Sequence, residues 1–143
     1  MYKRQAALGL GQLERLDERN AARRRNAQTL TEVLRDLPGV LPPTEPEGYF
    51  HVYHQYTVRA QRRDELSRHL RARGVETRVY YPEPVPHTEP YRRLGYTPGG
   101  WPQAERASRE VLSLPVHPAL TEGDLRRVVD AVREFARQVV ASP

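Results

Sequence analysis

The side chains with chemistry to offer cluster between Glu76 and Tyr91, in the stretch ETRVYYPEPVPHTEPY. Tyr80 and Tyr81 are adjacent, His87 follows, and Pro82, Pro84, Pro86 and Pro90 punctuate the run. Proline supplies no ladder N–H and holds the residue before it extended, so Val85 is extended or in a turn. A segment of this kind leaves a sheet edge and holds polar aromatic tips in fixed directions. That suits a site that grips a ligand. The same residues also read as a proline-rich surface loop whose tyrosines pack on neighbouring helices, since loops carry function only where a scaffold places them.

Other catalytic signatures are missing. The sequence has no glycine-rich phosphate loop, no G-x-S-x-G turn and no His/Glu pair at helical metal spacing. Ser67, Ser108, Ser113 and Ser142 stand in no motif. His51 and His54 fall on opposite faces of a predicted strand and make a poor chelate. Lys3 is the only side-chain amine able to form a Schiff base, and it lies in an uncapped terminus.

The elements that must position the tyrosine–histidine stretch follow from periodicity. Leu13, Leu16, Asn20, Arg23, Ala27, Leu30, Leu34 and Leu37 keep a 3,4 spacing, which predicts one long helix, kinked near Asp17 to Asn20, or two in series. Its opening face of Ala6, Ala7, Gly9 and Gly11 suits close packing on a domain or subunit. Pro38-Gly39 ends it. Phe50, Val52, His54, Tyr56 and Val58 alternate with polar neighbours, which predicts a strand with one apolar face. Asp64 to Arg73 is a helix with Leu66 and Leu70 inward, closed by Gly74.

Val75, Thr77, Val79 and Tyr81 predict a second strand. Leu112, Leu114 and Val116 predict a third, with Pro115 at its end. Glu89 to Leu94 is a short helical turn, and Pro102 opens a helix to about Glu110. Thr121 and Asp124 form a variant capping box before the stripe Leu125, Val128, Val129, Val132, Phe135, Ala136 and Val139. The fold class is therefore α/β: a small three-stranded sheet, antiparallel or mixed, with helices on one side.

The 143 residues suffice for one domain with a core, and 38% of them are apolar. No apolar run reaches eighteen residues and no secretory h-region stands at the start, so a cytoplasmic location is expected. There is no cysteine, which excludes disulfides and thiolate chemistry. The net charge is +5, from 22 arginines and Lys3 against 18 acids. The arginines are spread over every helix among Asp and Glu. That pattern favours a solvated surface over a nucleic-acid stripe.

Several stretches resemble the DegT/DnrJ/StrS-type sugar aminotransferases. They are Gln5-Ala6-Ala7-Leu8-Gly9-Leu10 with Gln12-Leu13 and Leu16-Asp17, His54-Gln55-Tyr56, Arg63-Asp64 and Gly74-Val75. Tyr80-Tyr81-Pro82, His87, and Leu112 to Pro118 complete the ordered set. The resemblance implies the C-terminal small domain of an aspartate-aminotransferase-like, pyridoxal-phosphate (PLP)-dependent enzyme of more than twice this length. The cofactor would be bound mainly by a preceding domain that carries the Schiff-base lysine, and Lys3 does not align with that lysine. Residues 1–4 depart from the family pattern and read as a truncated or non-native leader. Residues 5–143 read as the small domain, with 5–37 as a connecting helix and 50–140 as the body.

The resemblance places Tyr80, Tyr81 and His87 on the substrate side. Pro86 stands where the family more often has Leu, which alters the approach to His87. The implied activity is amino transfer, with glutamate as donor, to a keto-sugar linked to a nucleotide, in a homodimer, with neither membrane nor nucleic acid as partner. Two other readings remain open on the residues: a basic module that binds nucleic acid, and a relative without its lysine that acts as a regulator.

Overall fold

The computed structural model describes residues 2–141. Six α-helices and three strands follow one another as α1 Tyr2–Leu13, α2 Leu16–Leu34, β1 Val40–Leu41, β2 Tyr56–Ala60, α3 Arg63–Ala72, α4 Glu89–Arg93, α5 Pro102–Glu110, β3 Val111–Leu114 and α6 Glu122–Ala141, with a 3-10 turn at Val85–His87.

The sheet has the order β1-β2-β3 and is antiparallel throughout. Tyr56 lies opposite Leu114 and Val58 opposite Leu112, while Val40 lies opposite Ala60. Cross-strand partners share a face, so these residues form one apolar surface, and all of them are buried. Ala27, Leu30 and Leu34 from α2, Leu66 and Leu70 from α3, and Val128, Val132 and Phe135 from α6 join them in one core. The opposite face is polar: Thr57 and Ser113 share a hydroxyl bond of 2.8 Å, and Arg59 pairs with Glu110.

Local chemistry accounts for most boundaries. The Thr121 hydroxyl accepts from the Asp124 amide at 3.2 Å, and Asp124 accepts from the Thr121 amide at 3.0 Å, the reciprocal cap expected before α6. Gly74 has φ +74°, and the amides of Gly74 and Val75 reach back to the carbonyls of Arg71 and Leu70. This is a Schellman closure, and its hydrophobic clasp is the buried pair Leu70 and Val75. Arg63 is nearly buried and donates from Nη1 to the carbonyls of Ser108 and Val111, tying α3 to the end of α5.

Several sequence expectations are corrected. The helix break falls at Glu14 and Arg15, not at Asp17 to Asn20. Asp17 and Glu18 sit in the first turn of α2, where carboxylates favour the positive end of the helix dipole. Leu13 and Leu16, assigned to the stripe, are exposed, as are Leu8 and Leu10. The strand expected from Phe50 begins only at Tyr56. Tyr53 has φ +47°, its amide donates to His51 Nδ1 at 2.8 Å, and the local turn reverses the alternation. Tyr53 is buried in consequence, while Phe50 and Val52 face outward.

The strand expected at Val75 to Tyr81 is reduced to one bridge. Arg78 exchanges both backbone bonds with Ser113 at the free edge of β3. The third strand is instead the short β1, too brief to show any alternation. The leader assigned to residues 1–4 is only partly visible: Met1 lies outside the described residues, and Tyr2 to Arg4 belong to α1. Among the described residues, no helix is long and apolar enough to cross a membrane.

Candidate functional site

Four segments meet at a cleft of about 280 Å³ beside the sheet edge. Arg23 comes from the middle of α2. His54 and Gln55 lead into β2. Arg78 and Tyr80 come from the strip that bridges β3, and His117 follows the end of β3. The backbone of this site is fixed from below. Arg78 N–H donates to the Ser113 carbonyl at 3.1 Å, and Ser113 N–H donates back at 2.8 Å. Asn26, a buried amide on α2, donates to the His117 carbonyl at 3.0 Å and pins the turn that carries this histidine. Arg23 Nη1 makes a long contact, 3.4 Å, with the His54 carbonyl.

The three residues that the resemblance put on the substrate side do not converge. Tyr80 lines the cleft and is half exposed. Tyr81 is 69% exposed and does not line the cleft. His87 turns into its own loop: its Nε2 lies 3.2 Å from Glu105 Oε1, and its ring meets Trp101 edge-on at 6.3 Å. The proximity to Glu105 lacks hydrogen-bond geometry, and Nε2 is shielded from solvent. The Gly99 amide, donating at 2.6 Å, is the largest influence holding the Glu105 carboxyl below its ordinary range, ahead of the Trp101 amide and His87. Residues 85–105, which include α4 and the start of α5, bring His87, Glu105 and Trp101 together.

Sequence reasoning missed Arg23 and Arg78 as site residues. One signal was available for Arg23: it interrupts an apolar stripe, where a charge is costly unless it has something to meet. A second, larger groove runs along α2 against residues 42–53, lined by three arginines and three carboxylates. There Arg24 Nη1 donates to Glu45 Oε1 at 2.8 Å and the guanidinium lies 4.0 Å from the Phe50 ring centre.

Fold and cleft together define an α/β layer with its helices on one face and an open polar edge. The profile of the DegT/DnrJ/EryC1/StrS aminotransferase family matches residues 1–133, and the chain belongs to that family. It is 43% identical over 136 residues to a dTDP-3-amino-3,4,6-trideoxy-alpha-D-glucose transaminase of Streptomyces venezuelae, covering 94% of this chain and 36% of the relative. A pleiotropic regulatory protein of Geobacillus stearothermophilus is also 43% identical over 136 residues, with 93% and 36% covered. Among solved structures, S. venezuelae DesV in complex with a ketimine intermediate superposes with a TM-score of 0.89 at 42% identity, over 92% of this chain and 36% of that one. The chain therefore spans about 36% of the length of these relatives.

Proposed function

We propose that this chain is the C-terminal small domain of a PLP-dependent aminotransferase that acts on nucleotide-linked keto-sugars. One observation carries the reading: the family match runs over residues 1–133 while the chain corresponds to only 36% of an aminotransferase chain of the same local fold. In this reading glutamate is the amino donor, the longer enzyme is a cytoplasmic homodimer, and residues 5–143 close over a cofactor held elsewhere. The residues present do not themselves make a covalent seat for PLP. Lys3 is the single lysine, it is exposed on α1, and no amine lines the cleft. Aldehyde condensation, the chemistry that PLP supplies, needs such an amine. What this chain contributes is binding and orientation. Tyr80 and Tyr81 offer a hydroxyl and a stacking face each to the sugar or base. His87, drawn in by Glu105 and Trp101, serves this role by fixing the shape of the loop.

The test has two parts. Incubated with PLP and reduced with borohydride, the chain alone is expected to gain no stoichiometric adduct and to show no turnover. The reading frame extended upstream is expected to encode a large domain with a lysine, and its product to convert a nucleotide-linked keto-sugar when given glutamate. An adduct on Lys3 with turnover, or a longer product that binds PLP and transfers no amine, refutes the proposal. The second outcome would favour a regulatory role, the reading that the Geobacillus relative's name supports.

A further inference from the structure

We infer that the cleft formed by Arg23, His54, Arg78, Tyr80 and His117 is an oxyanion site, and that it takes the diphosphate of the nucleotide-linked substrate. The inference rests on the proposed function for the identity of the anion. The chemistry of the site rests on the cleft itself.

Some guanidiniums near the sheet are neutralised: Arg24 by Glu45, Arg59 by Glu110, Arg63 by Asp64 and Arg73 by Glu134. Others, among them Arg25, Arg35, Arg68 and Arg109, are not, and what marks the two arginines of the cleft is that they share it with Tyr80, His54 and His117. Among the described residues, Arg23 and Arg78 have no carboxylate within ion-pair distance. Glu76 also lines the cleft, so its formal charge is two guanidiniums against one carboxylate. Guanidinium presents planar N–H pairs that match phosphate oxygens, and such charge-assisted bonds are about twice as strong as neutral ones. The Tyr80 hydroxyl and the two imidazoles add further hydrogen-bonding groups beside them.

Rigidity and size point the same way. The Arg78 backbone is clamped to Ser113 by two bonds, and the His117 turn is held by Asn26, so the cleft edges are set before any ligand arrives. Preorganised donors lose less on binding. A volume near 280 Å³ lies at the lower limit for a small-molecule pocket. It suits a charged head group and excludes a whole nucleotide-linked sugar. The larger groove on α2 has the volume, near 1030 Å³, but its Arg24, Arg25 and Arg35 are balanced by Asp17, Glu32 and Glu45, so it carries no net formal charge.

The experiment is calorimetric titration of the 143-residue chain with inorganic pyrophosphate at low ionic strength. Saturable binding is expected. Arg78→Gln is expected to weaken it about tenfold, the loss of one charge-assisted contact, and Arg23→Gln by a similar factor. Arg109→Gln removes the same charge from the exposed surface of α5 and is expected to leave affinity unchanged. Circular dichroism checks that each variant folds. Arg78 carries the decision if Arg23→Gln does not fold, because the Arg78 side chain is exposed and its strand bonds are backbone.

A nucleoside diphosphate is expected to displace pyrophosphate, and L-glutamate is not. Equal affinity in all three variants, or no binding, overturns the site. Stronger displacement by glutamate than by the nucleotide overturns the assignment to diphosphate and gives the cleft to a carboxylate. None of these measurements needs cofactor or turnover, so the aminotransferase reading stands or falls separately.

Discussion

Replacing Tyr56 with phenylalanine should produce a variant that is less stable than the parent at neutral pH and more stable at high pH. Tyr56 is fully buried on β2, and its hydroxyl shares a 2.8 Å hydrogen bond with Thr31 on α2. Losing that bond costs about 1 kcal/mol at pH 7, because Thr31 is only half buried and can turn to water. Ionisation works in the other direction. Burial pushes the Tyr56 hydroxyl up to about 12, against a smaller opposing effect of the Thr31 bond. The unfolded chain ionises near 10. A group whose pKa is raised on folding contributes stability that is fully present below the unfolded value and is lost as pH climbs through the folded one.

The gap between the unfolded and folded values removes about 2.7 kcal/mol from the parent once pH lies above both, most of it as pH climbs from about 10 to about 12, and nothing from the variant. The remaining tyrosines are common to both proteins and cancel in the difference. Setting the ionisation loss equal to the lost hydrogen bond places the crossing at about pH 10.7. Urea denaturation of both proteins from about pH 7 to about pH 11.5, followed by far-ultraviolet circular dichroism, measures it. Stability curves that stay parallel across that range would refute the placement of this hydroxyl in the core.

Three further outcomes follow from the same structure. Leu112→Ala empties a fully buried position at the centre of the sheet and should cost about 2–5 kcal/mol in denaturant unfolding, unless neighbours collapse into the gap. Thr121→Ala removes the cap of α6 and should cost about 1 kcal/mol in the same assay, with amide exchange in the first turn of the helix accelerated first. Hydrogen bonds from Arg106 and then Arg59 hold the Glu110 carboxyl below the ordinary range. Its contribution is present above that range and is lost as pH falls through the depressed value, so Glu110→Gln should flatten the acid limb of a thermal-melting profile below about pH 5.

The helical part of this fold was legible because its signals are local. Thr121 and Asp124, Gly74, and Pro102 act within a turn of the positions they mark, and the stripe of α6 is long enough to average out exceptions. The sheet was less legible because strand pairing is not local. Val40 and Leu41 are two residues with no alternation to detect, yet Ala60 gives them a partner. Val75 to Tyr81 alternates cleanly, yet only Arg78 finds a free edge to bond. Tyr53 escaped detection for a different reason. A positive φ at a non-glycine residue, secured by a bond to the ring of His51, reverses which side chains face inward, and no period-two count registers such a change.

The cleft was hidden by the same non-locality, with one instructive exception. Arg78, His54 and His117 belong to separate segments, and only the antiparallel pairing around Ser113 and the Asn26 bond bring them together. Arg23 was visible as a fault in a stripe that continues through Ala27 to Leu30 and Leu34. A fault of this kind has two physical outcomes: the charge is matched by a neighbour of opposite sign, or it stays available. Arg24, the next residue, takes the first course with Glu45. Arg23 takes the second, facing a cleft whose other arginine is equally uncommitted. The tyrosine–histidine stretch drew attention by composition, but His87 is occupied by its own loop. In the proposed site, two guanidiniums without carboxylate partners face one cleft whose backbone is fixed. A guanidinium already paired with a carboxylate must give up that partner before it can bind a phosphate, and an unpaired one at a cleft wall has nothing to give up.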